Sequence, residues 1–119
     1  MSIVIIAGSR DITDYSHVER AVFRFHTTYP SIEITKILSG GARGVDQLAI
    51  QWAKNNDKSF SVINAKWRVF GRSAGHARNL EMSRLADALI AVWDGSSHGT
   101  LDMITIMRDL GKPHHIYTP

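Results

Sequence analysis

The chain has 119 residues, 44% hydrophobic and 21% charged, with nine Gly, three Pro and no Cys. Lys and Arg number 14 against 11 Asp and Glu, a formal charge of +3 with His neutral, and the pI is about 9.5. Three net charges do not by themselves mark a nucleic-acid binder, and the missing thiol excludes disulfides, zinc knuckles, iron–sulfur ligation and cysteine nucleophiles.

No apolar run approaches the roughly 20 residues of a membrane-spanning helix, and no basic stretch with an apolar segment opens the chain. A cytoplasmic protein with no membrane association is therefore expected. The length suffices for one core, so a single domain over residues 1–119, with no separate cofactor module, is expected as well.

Residues 3–6, Ile3-Val4-Ile5-Ile6, are continuously apolar, as in a central strand buried on both faces of a parallel sheet. A capping box, Ser16-x-x-Glu19, then opens a helix carrying Val18, Val22, Phe25 and Tyr29 at helical spacing until Pro30 stops it. A strand over 34–38 precedes a second helix with Val45, Leu48, Ala49, Trp52 and Ala53 on one stripe. A third strand over 60–63 leads to a helix over about 74–85, and a fourth over 88–93 to a helix over about 98–110 with Leu101, Ile104 and Met107 inward. Gly111 and Pro113 end that helix before a last strand over 114–117.

Strands alternating with helices in this way predict right-handed crossovers and an α/β three-layer sandwich of about five mostly parallel strands with helices on both faces. The first strand is expected in the middle, with the winding direction reversing between the first and fourth strands. Ligands of such sheets bind beyond the strand C-termini at that reversal.

The unusual residues gather at the same edge. Gly8-Ser9-Arg10 follows the first strand and Ser39-Gly40-Gly41-Ala42-Arg43-Gly44-Val45-Asp46 the second. The segment from Trp67 to Arg78-Asn79 follows the third, and Asp94-Gly95-Ser96-Ser97-His98-Gly99-Thr100 the fourth. Glycines at a strand-to-helix turn let backbone amides approach an anion at the positive helix end. Two such turns, with Arg10, Arg43 and Arg78 nearby, predict a phosphate site.

Asp46 in a first helical turn suits the helix dipole, a grip on a ribose hydroxyl, or the positioning of Arg43. Trp67, Trp93 and Phe70 suit packing or base stacking. The six histidines have no metal-ligand spacing, so no metal is expected. Nucleophile elbows, Walker loops and the dinucleotide fingerprint are absent, and no cofactor is expected.

With these motifs in place, the sequence resembles the small YspA-like members of the SLOG superfamily, which joins the DNA-processing Smf/DprA proteins to the lysine-decarboxylase-like LOG proteins. The resemblance rests on G-S-R, S-G-G-A-R-G-V-D, W-x-x-x-G-x-x-A-G-x-x-R-N-x-x-M and W-D-G-x-S-x-G-T, in that order over residues 3 to about 113. It implies a Rossmann-like fold, a nucleotide or nucleotide-derived ligand, and homo-oligomers paired through helices beside the third and fourth strands. LOG enzymes release a base from a cytokinin nucleoside monophosphate, with an arginine in R-K-x-x-M and a glutamate in P-G-G-x-G-T-x-x-E. Arg78-Asn79-Leu80-Glu81-Met82 matches the first motif with Asn for Lys, and Gly95 to Thr100 matches the second loosely. The glutamate position falls on Met103, whose thioether cannot stabilise a cationic sugar-like transition state. Asp102 is next to it but about 100° round the helix.

Three functions follow, in this order: binding of a small phosphate-bearing nucleotide; nucleotide hydrolysis or transfer by Arg78 with Asp46 or Asp102; and single-stranded nucleic-acid binding through the segment Lys66-Trp67-Arg68-Val69-Phe70-Gly71-Arg72, which is not favoured because its footprint is small.

Overall fold

The computed structural model describes residues 1–119. Strands β1 (Ser2–Gly8), β2 (Ile34–Ser39), β3 (Ser59–Val62), β4 (Ala88–Val92) and β5 (His114–Tyr117) form one parallel sheet in the order β3-β2-β1-β4-β5. The helices are α1 (Tyr15–Thr28), α2 (Val45–Asn55), α3 (Trp67–Phe70), α4 (Ala74–Leu85) and α5 (His98–Asp109), and a 3-10 turn over Gly71–Ser73 joins α3 to α4. This is a three-layer Rossmann-like sandwich, as the alternation predicts. No helix is long and apolar enough to cross a membrane.

β1 is central because it feeds two cores at once. Val4 and Ile6 face the layer of α1 and α2, where they meet Val18, Phe25, Val45 and Trp52. Ile5 and Ala7 face the layer of α4 and α5, where they meet Met82, Met103 and Met107. This alternation is the period of two that a strand imposes, and it requires apolar residues at every position. With right-handed crossovers, steps from β1 to β2 to β3 place α1 and α2 on one face. The jump back to β4 and on to β5 places α4 and α5 on the other. The winding therefore reverses between β1 and β4.

Three local expectations need correction. The N-cap of α1 is Asp14, not Ser16: the Asp14 carboxylate accepts the Ser16 amide at 2.9 Å and the Ser16 hydroxyl at 2.8 Å. Those two bonds hold its pKa below the usual carboxylate range. Leu101 is exposed rather than inward, because the buried stripe of α5 runs Thr100, Met103, Ile104, Met107 at i, i+3, i+4 and i+7. Strand β4 ends at Val92, and Trp93 turns its indole N–H to the Ser97 carbonyl at 3.0 Å while packing against the α4–α5 core.

α4 has a weaker apolar stripe than the other long helices, burying Asn79 and Ser83 beside Ala74 and Met82. Its C-terminal end is held by Lys112, whose Nζ donates to the Ser83 and Ala86 carbonyls at 2.6 and 2.7 Å. A cation there also complements the negative end of the helix.

Candidate functional site

At the C-terminal ends of β1 and β4 lies a cleft of about 300 Å³, walled by Gly8, Arg10, Asp46, Arg78, Asn79, Ser97, Gly99 and Thr100 and floored by Ala7, Met82 and Met103. It occupies the winding reversal, where the fold leaves a gap between helices of opposite layers.

Gly8 and Ser9 close the back of the cleft. A Cβ on Gly8 would strike the Val92 carbonyl and the Val45 side chain. Gly8→Ala is therefore expected to destabilise the protein by about 3 kcal/mol, as overpacking against backbone does. A chemical-denaturation midpoint equal to the parent's would refute that crowding. Ser9 is buried, and its carbonyl accepts the Val45 amide at 3.3 Å while its hydroxyl accepts the Asp94 amide at 3.0 Å. It thus ties the loops after β1, β2 and β4 together rather than facing a ligand.

The two glycine-rich helix ends differ. The turn before α2 is partly closed on itself: Ala42 N–H donates to Asp46 Oδ2 at 3.1 Å, Gly41 N–H to Ser39 Oγ at 3.2 Å, and Gln47 N–H to the Gly44 carbonyl at 3.0 Å. Ser39 Oγ in turn donates to the Asp46 carbonyl at 2.8 Å. Gly41 and Gly44 take φ of 73° and 74°, a region open to glycine, and so allow the loop to wrap the carboxylate. Asp46 and Ser39 thus take the Ala42 and Gly41 amides of the anion seat expected there, and the Arg43, Gly44 and Asp46 amides have no hydrogen-bond partner.

The α5 end is open. The amides of His98, Gly99 and Thr100 have no hydrogen-bond partner, and a Cβ on Gly95 or Gly99 would meet nothing within 4 Å. The approach to this end is fixed by Asp94, whose Oδ1 accepts the Ser96 and Ser97 amides at 2.8 and 2.9 Å and is held below the usual carboxylate range by them. Ser97 and Thr100 hydroxyls lie 3.2 Å apart at its rim. Free amides at a positive helix end form an anion site.

Arg78, on α4, lines the same cleft. Its Nη1 donates to the Gly40 carbonyl at 2.9 Å and its Nε to Asn79 Oδ1 at 3.1 Å, and Nη2 has no protein partner. A Cβ at position 40 would overlap the guanidinium. Asn79, buried, donates from Nδ2 to the Gly99 carbonyl at 3.2 Å and to Asp102 Oδ2 at 3.0 Å, so it couples Arg78 to the first turn of α5. Arg10 lines the same cleft without a salt bridge.

Asp46 is 7% exposed, and burial pushes its pKa up to about 6 against the opposing pull of the Ala42 amide, Arg78 and Arg10. It is the one carboxylate in the cleft wall. Asp102 points elsewhere: it receives His76 Nδ1 at 2.9 Å as well as Asn79, and it does not line the cleft. Met103 takes the inward position instead.

Other expected site residues stand apart. Arg43 has a side chain 75% exposed and reaches Asp11 at 3.4 Å, outside the cleft. Gly40, Gly41 and Trp67 line a neighbouring hollow together with Arg10 and Arg78. Residues that the sequence did not assign to the site include Ala42 in the wall, Ala7 and Met82 in the floor, Asn64 and Ala65 in the neighbouring hollow, and His76 behind Asp102. Only His76 had a signal, its i, i+3 spacing from Asn79 on a predicted helix.

A family model described as the YspA, cpYpsA-related SLOG family matches residues 2–70. The Gene 61 protein of Mycobacterium phage D29 is 33% identical over 117 residues, covering 92% of this chain and 91% of that one. Among solved structures, DNA processing protein A (DprA) from Streptococcus pneumoniae matches 95% of this chain with a TM-score of 0.70 at 17% identity. TM1055 matches 96% of it with a TM-score of 0.64 at 20% identity and is itself covered to 72%. The chain spans about half the length of the DprA chain, 49%. At these identities the two structures speak to the fold alone.

Proposed function

The chain belongs to the YspA, cpYpsA-related SLOG family, and from that premise we propose that it binds a small phosphate-bearing nucleotide or nucleotide derivative in the cleft between β1 and β4. The observation that carries this reading is the presence, in the wall of one cleft, of the unpartnered Gly99 and Thr100 amides at the start of α5 together with Arg78, whose Nη2 has no protein partner. An anion there meets donors already in place, so little ordering opposes binding. The volume, about 300 Å³, lies at the small end of ligand pockets and suits a compact polar ligand.

A hydrolytic reading has one observation in its favour. Asp46, with a pKa of about 6, is an acid–base group poised near neutral pH inside the cleft. Against it, the position that carries glutamate in LOG enzymes holds buried Met103, and Asp102 is committed to His76 and Asn79. Binding without turnover is the better fit.

The test is to incubate the protein with nucleoside monophosphates and ADP-ribose while following both melting temperature and free base by chromatography. A ligand present at a hundred times its Kd is expected to add about 2.7 kcal/mol of stability, with no base released. Base release that disappears in Arg78→Ala would instead establish the hydrolase, and no stabilisation by any phosphate ligand would refute the site.

A further inference from the structure

The cleft does not end at Arg78. Beyond the guanidinium lies a hollow of about 220 Å³ that shares Arg10, Ala42 and Arg78 with the cleft. Next to it lies another of about 270 Å³ that shares Asn64 and Arg78 with the hollow. The three spaces form a trough with Arg78 as their common wall.

Each outer hollow repeats the same pair of features, an aromatic ring and a cation. Trp67, 54% exposed, lines the middle one beside Arg10, and Phe70, 49% exposed, lines the far one between Lys66 and Arg84. Both rings come from α3, a single turn that buries none of its own residues. Aromatic rings left half in water and aimed into concave, basic surroundings are what stacked bases with linking phosphates require. No acidic residue lines the middle hollow, and Glu81 alone lines the far one, against Lys66, Arg78 and Arg84.

We propose that the trough takes a dinucleotide, two nucleoside units joined through phosphate. Its terminal phosphate sits on the α5 amides, one base lies against Trp67, and the second nucleoside reaches the Phe70 hollow past Arg78. This rests on the phosphate reading of the cleft and extends it: a mononucleotide fills the cleft and the Trp67 hollow but leaves Lys66, Phe70 and Arg84 uncontacted.

The experiment compares 5′-AMP, the 5′-phosphorylated dinucleotide pApA and an eight-residue oligoadenylate by calorimetric titration, on the parent, Phe70→Ala and Arg84→Ala. Both substituted residues are exposed, and an unchanged melting temperature checks that the fold is intact. pApA is expected to bind the parent about tenfold or more tightly than AMP, the size of one added base stack. Each substitution is expected to remove most of that gain while leaving AMP binding unchanged. Equal affinity for AMP and pApA would overturn the dinucleotide and leave the phosphate cleft standing. An oligomer binding much more tightly than pApA, with a steep salt dependence, would overturn it in favour of a strand path. Failure of AMP, pApA and oligomer alike would remove the underlying cleft reading along with it.

Discussion

Asp46→Asn is expected to raise the stability of this protein above pH 7 and to abolish a decline between about pH 4 and 6. The carboxyl, ordinarily at 3.8, is pushed up to about 6 in the fold, chiefly by burial. Between those two values the folded state holds a proton that the unfolded chain has released, so stability falls as pH rises through the window and levels off above it. That rise corresponds to about 3 kcal/mol. Asn is neutral at every pH, and its Oδ1 still accepts the Ala42 amide that Asp46 accepts at 3.1 Å. Melting curves from pH 4 to 8 should therefore show the parent losing several degrees relative to the variant. Parallel curves would mean that Asp46 ionises as freely folded as unfolded.

The same proton couples to the ligand. An anion seated in the cleft disfavours the Asp46 carboxylate further, so binding takes up a proton and strengthens as pH falls from 8 towards 5.5. ADP-ribose is the suitable probe, because its diesterified phosphates do not titrate in that range. In Asp46→Asn the affinity should be high and flat with pH.

Much of this architecture was legible because parallel alternation puts every strand C-terminus at one edge, so the loops after β1, β2, β3 and β4 had to converge. What periodicity could not supply was occupancy. Residues 40–44 and 95–99 look alike in sequence, yet Gly40, Gly41 and Gly44 are crowded by neighbouring groups, with Asp46 Oδ2 folding back to accept the Ala42 amide, while Gly95 and Gly99 border open space. A first-turn carboxylate reads as helix stabilisation whether or not it plugs the loop before it. Arg43 and Arg78 were likewise equivalent by placement alone, and only the family motif set Arg78 apart. Arg43 leaves for Asp11 at the surface, and Arg78 is drawn in by the Gly40 carbonyl and Asn79 Oδ1. The 100° between Asp102 and Met103 was foreseeable, but the His76 that claims Asp102 lies 26 residues away on another helix.

Arg78→Ala is expected to be the most damaging change to binding, because Arg78 acts on three things at once. It brings an Nη2 without a protein partner to the cleft that Gly99 and Thr100 also line, holds the Gly40 carbonyl at 2.9 Å, and positions Asn79 through Nε at 3.1 Å. Losing a charge-assisted donor to phosphate should weaken a phosphate ligand by about tenfold to a hundredfold, at about 1.5–3 kcal/mol per bond. It also removes a positive neighbour that lowers the Asp46 pKa, so the proton-linked decline in stability should move to higher pH. Arg78→Lys separates the two effects. Lysine restores a cation near Asp46 but not the planar fork that reaches Gly40 and Asn79 together. Its melting profile should therefore return towards the parent's, while ligand affinity, read by calorimetric titration with ADP-ribose, stays down about tenfold. If lysine restored affinity fully, charge alone would account for the site and the fork geometry would be incidental. If alanine left affinity unchanged, the anion would have to rest on the α5 amides without help from α4.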